Sequence, residues 1–275
     1  MPSITVLCSD GPHHLYLAAA LLETFGELRI IVEPSHEQAR ELRRRGLYRS
    51  WFWTHYHDLR RKLFGYDRLR RDYFRHTRGP RTWRELRAHP GVHYVEATSI
   101  NHASVAEALR TAQSDAYIVM GTKRIGETVL AEIPTRHIVN LHGGHLPEYK
   151  GNHCFFFALH HGDLDKLSTT VHRVASGLDT GEIVFRHSVQ YVAGDSSESL
   201  YSRAERGAID RLVERLVREP DVSRWPSEAQ APVGRTWRMR DRGPRVELTH
   251  HLVRRPRHEA RALARAGSTE TEGLH

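Results

Sequence analysis

Residues 4–32 read ITVLCSDGPHHLYLAAALLETFGELRIIV and hold two short apolar runs on either side of a helical pattern. Ile4 to Cys8 and Leu28 to Val32 have the length and composition of buried strands. Between them, His13 to Phe25 has the composition of a helix that packs on a core. A strand, a helix and a second strand in this order are typical of the opening of a doubly wound α/β sheet.

The rest of the chain continues the pattern. Five further strands are predicted, at Gly91 to Val95, Ala116 to Met120, Arg136 to Asn140, Thr169 to Val174 and Ile183 to Val189. Residues from about 35 to 90 form an Arg-rich helical insertion, whose first helix is predicted to begin at a capping box of Ser35 and Gln38. A long helix over Ser197 to Arg218 should cover the sheet through one apolar face, formed by Leu200, Ala204, Ala208, Leu212 and Leu216.

The domain organisation predicted from these elements is simple. Residues 1–220 should form one catalytic domain, residues 221–253 a small appendage, and residues 254–275 a flexible tail. Within the appendage, Gly234 to Arg240 and Arg245 to Leu248 flank the turn signal Asp241-Arg242-Gly243-Pro244. This arrangement predicts a β-hairpin, which is a plausible contact of a homodimer.

Composition excludes several classes of protein. With 275 residues, of which 39% are apolar, the chain can fill a globular core. It opens without a signal-peptide pattern and has no apolar run long enough to span a bilayer, so we expect a cytoplasmic protein. Cys8 and Cys154 are far apart and lack CxxC spacing. The paired histidines lack the Cys or carboxylate partners of a usual site, so no metal is expected.

The charge is uneven along the chain. The formal net charge is +8, and most of the excess lies between Arg40 and Glu85, where arginines alternate with aromatic residues. Such a segment suits a nucleotide- or phosphate-bearing ligand. It suits equally a set of helices packed on a core, and a bias toward Arg can also reflect genome composition.

Three polar residues in two glycine-rich turns indicate an enzyme. Asn140 and His142 follow the apolar run Ile138-Val139, and Asp179 lies in the turn Ser176 to Ile183. An Asn amide can donate to an oxygen that becomes negative, a His can move a proton, and an Asp can orient that His. Each residue alone is more simply explained as a turn former or a loop histidine. Together they suit acyl transfer to an amine.

The joint pattern resembles a known family. Asn-x-His at 140–142, Leu-Pro-x-Tyr-Lys-Gly at 146–151 and Thr-Val-His-x-Val-x-x-Gly-Leu-Asp-Thr-Gly-x-Ile at 170–183 are similar to the folate-dependent formyltransferases. That family includes glycinamide ribonucleotide, methionyl-tRNA and sugar N-formyltransferases. The resemblance covers about residues 115–189 and implies a Rossmann-like formyltransferase fold. It also implies that Asn140, His142 and Asp179 are the catalytic triad.

The resemblance further implies 10-formyltetrahydrofolate as the co-substrate. Its two binding walls correspond to Met120, Gly121, Thr122, Lys123, Arg124 and Ile125, and to Gly177, Leu178, Thr180 and Gly181 in the opposite turn. The strands that precede these segments are expected to lie side by side. Three departures from the family pattern, Gly144, His145 and Cys154, point to an unusual acceptor pocket. Cys154 is interpreted as a packing thiol.

The expected activity is transfer of the formyl group to the amine of a small acceptor, such as an amino sugar nucleotide or a hydroxyornithine-like amino acid. Alternatives are hydrolysis of formyltetrahydrofolate and a catalytically silent folate-binding module. The deformylases carry an N-terminal regulatory domain that has no counterpart before Ile4, and the intact triad argues against a silent module.

Two acceptors are not expected. The tRNA-acting members carry a substantial C-terminal domain, for which too little chain follows the helix ending near Arg218. The purine intermediate would need a glycine-rich phosphate loop where this chain has Asp-Gly-Pro-His-His. The Arg-rich insertion, including Arg60 and Arg61, is instead expected to shape the acceptor side of the cleft.

Overall fold

The structure is a computed structural model that describes residues 1–75 and 79–260. At its centre is a seven-stranded sheet in the order β3-β2-β1-β4-β5-β7-β8. The first five strands are parallel: β1 Ile4–Cys8, β2 Leu28–Val32, β3 Val92–Glu96, β4 Ala116–Met120 and β5 Ile138–His142. Strand β7, Ser168–Arg173, is antiparallel to β5 and to β8, Ile183–Ser188. The predicted doubly wound α/β fold is confirmed.

Both faces of the sheet are covered by helices. In β1, Ile4 and Val6 pack in a core that includes residues of α1, Pro12–Phe25, and α9, Ser197–Arg218. Leu7 points to the other face, into a second core with residues of α6, Ala103–Thr111, and α7, Glu127–Leu130. Strands buried on both faces are apolar at successive positions. The continuous apolar runs of the sequence therefore mark the centre of the sheet.

Helix α9 is the longest described helix, with 22 residues. The five apolar residues predicted to face the sheet are all fully buried, so the prediction from spacing is confirmed. The Ser196 hydroxyl accepts a hydrogen bond from the Ser199 backbone N–H and caps the helix at its N-terminus. No helix among the described residues is long and apolar enough to cross a bilayer.

The insertion between β2 and β3 is helical, as predicted. It contains α2 Ser35–Arg44, α3 Tyr48–Leu63, α4 Tyr66–Tyr73 and α5 Trp83–Ala88. The predicted capping box is wrong, because the N-cap residue of α2 is Pro34 and no side chain caps the helix. Gln38 instead donates its amide N–H to Glu33 at 3.3 Å. Ser35 is already the first residue of the helix, and its backbone N–H donates to Asp10 Oδ1 at 3.0 Å.

Buried ion pairs fasten the insertion to the rest of the fold. Arg60 on α3 lies 3.3 Å from Glu198 on α9 and 3.1 Å from Glu247. Arg242 contacts the same two carboxylates, at 3.5 Å and 2.6 Å. Arg70 on α4 donates to the second oxygen of Glu198 at 2.5 Å. Three arginines around Glu198 hold the pKa of its carboxyl down at about 2, because their attraction outweighs burial.

The predicted C-terminal β-hairpin is wrong. Strand β9, Arg235–Trp237, pairs in parallel with β6, Tyr149–Gly151, and residues Pro244–Thr249 form helix α10. The indole of Trp237 stacks on Phe157 with ring centroids 3.8 Å apart, which holds β9 against the helix that contains Phe157. A proline in the first turn of a helix is favourable, so the presumed turn signal begins a helix. The division of the chain at residue 220 stays a prediction.

The predicted flexible tail is wrong for its first residues. His250–Arg254 form a π-helical turn, and residues 255–260 continue as a helix. Arg255 donates to the backbone oxygen of Gly194, and the His258 side chain is buried beside Gly162. These contacts order a segment whose composition alone is polar. The remaining tail, residues 261–275, lies outside the described residues.

Candidate active site

Strand β5 carries Asn140 and His142 to the carboxyl edge of the sheet. Successive side chains of a strand alternate between its faces. Val139 and Leu141 pack in the core under α1 and α9, so Asn140 and His142 project from the opposite face. Asp179 lies in the turn between β7 and β8 and has a left-handed backbone, with φ of 52°. The three predicted catalytic residues come together, and all three line one cavity.

The hydrogen bonds of His142 fix its orientation. Nε2 lies 2.9 Å from the backbone oxygen of Tyr149, which can only accept, so Nε2 carries a hydrogen. Nδ1 then faces Asp179, whose Oδ2 is 3.6 Å away. That oxygen also accepts the backbone N–H of Gly151 at 2.9 Å. Nδ1 is therefore the atom at which His142 can take up and return a proton, beside a fixed carboxylate.

His172 on β7 is a further residue of the site that the sequence analysis did not single out. Its Nδ1 lies 2.7 Å from the backbone oxygen of Arg173 and must donate to it. Nε2 is therefore an acceptor, and it lies 3.0 Å from Nδ2 of Asn140. Burial and the neighbouring His142 lower the pKa of His172 to about 4, which keeps the ring neutral. The only indication of its role in the sequence is that it is the His of the Thr-Val-His motif quoted above.

His172 determines which way the amide of Asn140 points. One amide hydrogen donates to His172, so the second is available to an oxygen in the cavity. Asp179 lies between the two imidazoles, with Oδ1 3.8 Å from His172 Nε2. One carboxylate, two imidazoles and an amide thus form a single compact group. Such a group can stabilise negative charge on an oxygen and move a proton beside it.

Cys154 begins helix α8, Cys154–His161, and lies against His142. Its Sγ is 3.6 Å from His142 Nε2, and the side chain is buried. Burial, reinforced by the charge of Asp179, raises the pKa of the thiol well above its ordinary value. The thiolate, which is the nucleophilic form, is therefore disfavoured. This agrees with the interpretation of Cys154 as a packing thiol.

The cavity has a volume of about 640 Å³ and one wall close to that predicted. This wall, here called the turn wall, contains Met120, Gly121, Thr122, Lys123, Arg124, Leu178 and Asp179. Four residues predicted for it do not line the cavity. Ile125 is buried in the core of the sheet. Gly177, Thr180 and Gly181 lie on either side of Leu178 and Asp179 in the turn but do not line the cavity. Gly181 instead packs on Arg173, where an added Cβ would lie 1.8 Å from the backbone oxygen.

The arrangement of strands behind the turn wall differs from the prediction. The strands that precede its two segments, β4 and β7, are not neighbours, because β5 lies between them. The chain reaches β7 only after α8 and pairs there in the antiparallel sense. Because β7 is antiparallel to β5, Arg173 at the end of β7 pairs with Val139 near the start of β5. The turn that follows must therefore run back toward the other end of β5, where Asp179 faces His142.

The opposite wall of the cavity, here called the helix wall, was not found from the sequence. It consists of His13, Arg70, Glu198, Tyr201, Glu205 and Arg242, which come from α1, α4, α9 and the C-terminal segment. Tyr201 and Glu205 are one turn apart on α9, so both face the cavity. The remaining residues are far apart in the sequence. No local motif signals such a wall.

Two Arg-rich side chambers adjoin the cavity. One, of about 610 Å³, shares His13 and Arg70 with it, and its other lining residues include Arg61, Arg71, Arg75 and Arg81. The second, of about 920 Å³, shares Gln38, Lys123 and Asn152 with the cavity and is lined by Arg40, Arg43, Arg49, Arg61, Arg238, Arg240, Trp51 and Trp53. The insertion therefore surrounds the cavity with positive charge.

One expectation about the insertion is wrong. Replacement of Arg60 was expected to weaken acceptor binding directly, but Arg60 is 4% exposed, is bound to Glu198 and Glu247, and does not line the cavity. Spacing alone could not separate it from Arg61, its neighbour in the sequence, because burial depends on how α3 packs on α9. Arg61 lines both chambers and pairs with Asp58 and Asp67. Among the described residues, no group of three or more His, Cys, Asp or Glu could hold a metal ion.

Comparison with known proteins places the chain in a family. A family model described as Formyl transferase matches residues 76–216, just over half of the chain. The chain belongs to the formyl transferase family. Methionyl-tRNA formyltransferase of Thermosynechococcus vestitus is 28% identical over 126 residues, which are 46% of this chain and 38% of that protein. The chain thus matches less than half the length of this curated formyl transferase.

Solved structures share the fold of this chain at low sequence identity. The sugar 3N-formyltransferase WlaRD has a TM-score of 0.58 at 12% identity, covering 88% of this chain and 72% of that one. An N-formyltransferase from Helicobacter canadensis has a TM-score of 0.52 at 12% identity, covering 84% and 68%. At this level of identity the similarity shows the architecture alone.

Gly144, one of the departures from the family pattern, is explained by packing within this formyl transferase. A Cβ at position 144 would lie 2.6 Å from His142 Nε2 and 2.7 Å from the Cβ of Cys154. Any larger residue at this position would therefore displace His142 or Cys154. His145, a second departure, hydrogen-bonds through Nδ1 to the Ser168 hydroxyl at 2.9 Å.

Proposed function

We propose that this protein transfers the formyl group of 10-formyltetrahydrofolate to the amine of a small, anionic acceptor. The observation that carries the proposal is the position of Asn140, His142 and Asp179 in one cavity between two different walls. The turn wall is built largely from irregular backbone, whereas the helix wall is built from polar and charged side chains. Two walls of different chemistry suit two substrates that meet above the end of β5.

The turn wall fits the donor. Gly121 has a left-handed φ of 68°, and a Cβ there would lie 2.2 Å from His14 Nε2. The turn therefore presents bare backbone, whose N–H and C=O groups can pair with the edge of a flat heteroaromatic ring such as a pteridine. Lys123, 3.2 Å from the buried Glu33, holds the outer part of this wall. The bound donor supplies a formyl group attached to nitrogen.

The residues at the end of β5 can promote its transfer. Asn140 donates its free amide hydrogen to the formyl oxygen, where negative charge develops as the amine attacks. His142 receives a proton from that amine at Nδ1 and returns it to the departing nitrogen. Asp179 stabilises the imidazole while it carries the proton. The enclosed position of these groups strengthens each interaction, because little water competes.

The acceptor is proposed to be small and to carry phosphate or carboxylate groups. The side chambers offer arginines that match such groups, and tryptophans on which a base can stack. The Helicobacter canadensis relative was solved in complex with folinic acid and dTDP-3-aminofucose, which combines an amine with a nucleotide. This supports a nucleotide-linked amino sugar over tRNA, although the matched curated relative is a methionyl-tRNA enzyme. The homodimer and the cytoplasmic location stay predictions.

The proposal is tested by incubating the protein with 10-formyltetrahydrofolate and a panel of acceptors. The panel contains nucleotide-linked amino sugars, ornithine, N-hydroxyornithine and initiator methionyl-tRNA, and the products are identified by mass. We expect one small amine to gain a formyl group in step with release of tetrahydrofolate, and Asn140→Ala to abolish this. Formate release without acceptor would establish hydrolysis instead. Formylation of the tRNA alone would contradict the proposal of a small acceptor. If the donor is not consumed at all, the proposed enzyme activity is wrong.

A further inference from the structure

Glu205 on α9 is a buried carboxyl without a complete set of partners. It is 1% exposed and lines the cavity. Oε1 accepts a hydrogen bond from the Thr169 hydroxyl at 3.1 Å, whereas Oε2 has no hydrogen-bond partner within the described part of the chain. Buried polar atoms are normally paired. An unpaired oxygen beside a substrate cavity indicates that a ligand completes it.

The carboxyl lies close to the catalytic residues. Gly143 directly follows His142, and a Cβ there would lie 2.9 Å from Glu205 Oε1 and 2.6 Å from the ring of Tyr201. Only glycine leaves room for Glu205 at this point. His142 reaches the cavity from one face of the sheet, and Glu205 reaches it from the α9 face. A group placed between the two walls can therefore meet both.

His13 marks the same part of the helix wall. It is 8% exposed, it lines the cavity, and its Nδ1 has no hydrogen-bond partner among the residues that the structure describes. Burial, with the charges of His14, Arg70 and Arg61, lowers its pKa well below the ordinary value, so the ring is neutral. Its ring meets Tyr201 edge to face at 5.8 Å. Glu205 and His13 thus each present a buried polar atom without a protein partner among the described residues on the helix wall, and neither side chain carries a positive charge.

Formyl transfer to an ammonium acceptor releases a second proton, which a second base can take. This inference rests on the proposed function. An acceptor that arrives as an ammonium ion has three N–H bonds, whereas the N-formyl product has one. One of the two protons lost goes to the folate nitrogen when its bond to the formyl carbon breaks, and the other leaves to water. His142 with Asp179 can carry the first of these, and a separate group in the cavity can take the second.

We propose that Glu205 is this base and that the acceptor is an alkylammonium compound. Oε2 takes one proton from the ammonium and leaves a neutral amine, whose lone pair forms the bond to the formyl carbon. The carbonyl electron pair moves to oxygen at Asn140 and then returns, which expels the folate nitrogen. That nitrogen takes the proton carried by His142, and Glu205 releases its own to water. An aliphatic amino sugar or amino acid needs this step, whereas a hydroxylamine, neutral at pH 7, does not.

The environment of Glu205 suits the role. Burial raises the pKa of its carboxyl to about 8, against smaller opposing effects of Thr169 and Arg70. A base with a pKa near the working pH can both take up and release a proton. Arg70 is already bound to Glu198, and no cation among the described residues lies within ion-pair distance of Glu205. The acceptor's ammonium would be the first direct counter-charge, and it would favour the ionised carboxylate.

The test compares two generic amines as acceptors, in the whole protein with 10-formyltetrahydrofolate. Ethylamine is an ammonium ion at pH 7, and hydroxylamine is neutral. For Glu205→Gln at pH 7 we expect kcat/KM with ethylamine to fall by at least about a hundredfold, the scale for loss of a general base. With hydroxylamine it should change less than about threefold. Equal losses with both amines would assign Glu205 a purely structural role and overturn the proposal.

The control variant is Glu214→Gln, which removes an exposed carboxylate from the same helix. It should leave both rates unchanged. Infrared difference spectra between wild type and Glu205→Gln provide a readout independent of turnover. We expect a protonated carboxyl band that titrates with a midpoint near 8 and is lost on addition of ethylammonium. That result without formyl transfer would retain Glu205 as the amine site and reject the proposed function. A midpoint near that of an exposed Glu would overturn the inference.

Discussion

Arg60 on α3 and Glu198 on α9 form an ion pair in which each side chain is 4% exposed. The pair joins the insertion to the helix that supplies the helix wall of the cavity. Arg70 and Arg242 share the same carboxylate, so α4 and the C-terminal segment are fixed to that point as well. The helix wall is therefore built around the buried carboxylate of Glu198.

We predict that Arg60→Ala destabilises the protein while Arg61→Ala does not. Arg60 contacts both Glu198 and Glu247, so its removal breaks a buried network of ion pairs, which costs up to about 3–5 kcal/mol even though Arg242 still contacts both carboxylates. Arg61 is more exposed, and its pairs with Asp58 and Asp67 contribute at most about 1 kcal/mol. Urea denaturation measures both changes in the free energy of unfolding. Equal stability of the two variants would show that Glu198 is satisfied without Arg60.

The catalytic residues should be separable from the residues that hold the fold. Asn140→Ala, His142→Ala and Asp179→Ala should each lower kcat at least about a hundredfold, because each removes a group that acts in the transition state. Thermal denaturation should show a folded protein in each case. Wild-type turnover in any one variant, with chemistry limiting the rate, would remove that residue from the mechanism.

His172→Ala should lower kcat through Asn140. Without its acceptor the amide can rotate, and a misplaced group of this kind costs between about tenfold and a hundredfold. The effect of His172→Ala should then largely vanish in an Asn140→Ala background, since the two changes remove one function. KM for the donor should stay within about twofold. Full additivity of the two losses would show that His172 acts independently.

Stability should fall as the pH drops below about 6.5. Burial lowers the pKa of His172 to about 4 and, mainly by the same effect, that of His14 to about 3, against a normal value of 6.5. Below pH 6.5 these histidines bind protons in the unfolded chain but not in the folded chain. The free energy of unfolding therefore decreases. The loss grows down to the folded-state pKa values and amounts to a few kcal/mol. Glu205, whose pKa is raised in the folded protein, stabilises the fold as the pH falls and so offsets part of this loss. Urea titrations between pH 7 and pH 4 measure the change, and a flat profile would contradict it.

The sequence predicted those parts of the site whose residues lie close together along the chain. Apolar runs located the strands, and the Asn-x-His and Gly-Leu-Asp motifs located residues that the structure does bring together. The exchange of a hairpin for β9 and α10 was not predictable, because Trp237 is ordered by Phe157, which is 80 positions earlier. The same reason hid the helix wall. Its members are joined by packing between elements, and burial of Arg60 rather than Arg61 is settled by that packing.

Backbone pairing between β6 and β9 has a consequence for any attempt to shorten this protein. Gly151 pairs with Trp237, and its N–H holds the carboxylate of Asp179. The family match ends at residue 216, well before this brace. A fragment cut at that boundary would keep Asn140, His142 and Asp179 but lose β9, the strand that pairs with Gly151 beside Asp179. We therefore expect that a fragment which keeps the position of Asp179 must extend through Trp237, beyond the residues that match the family.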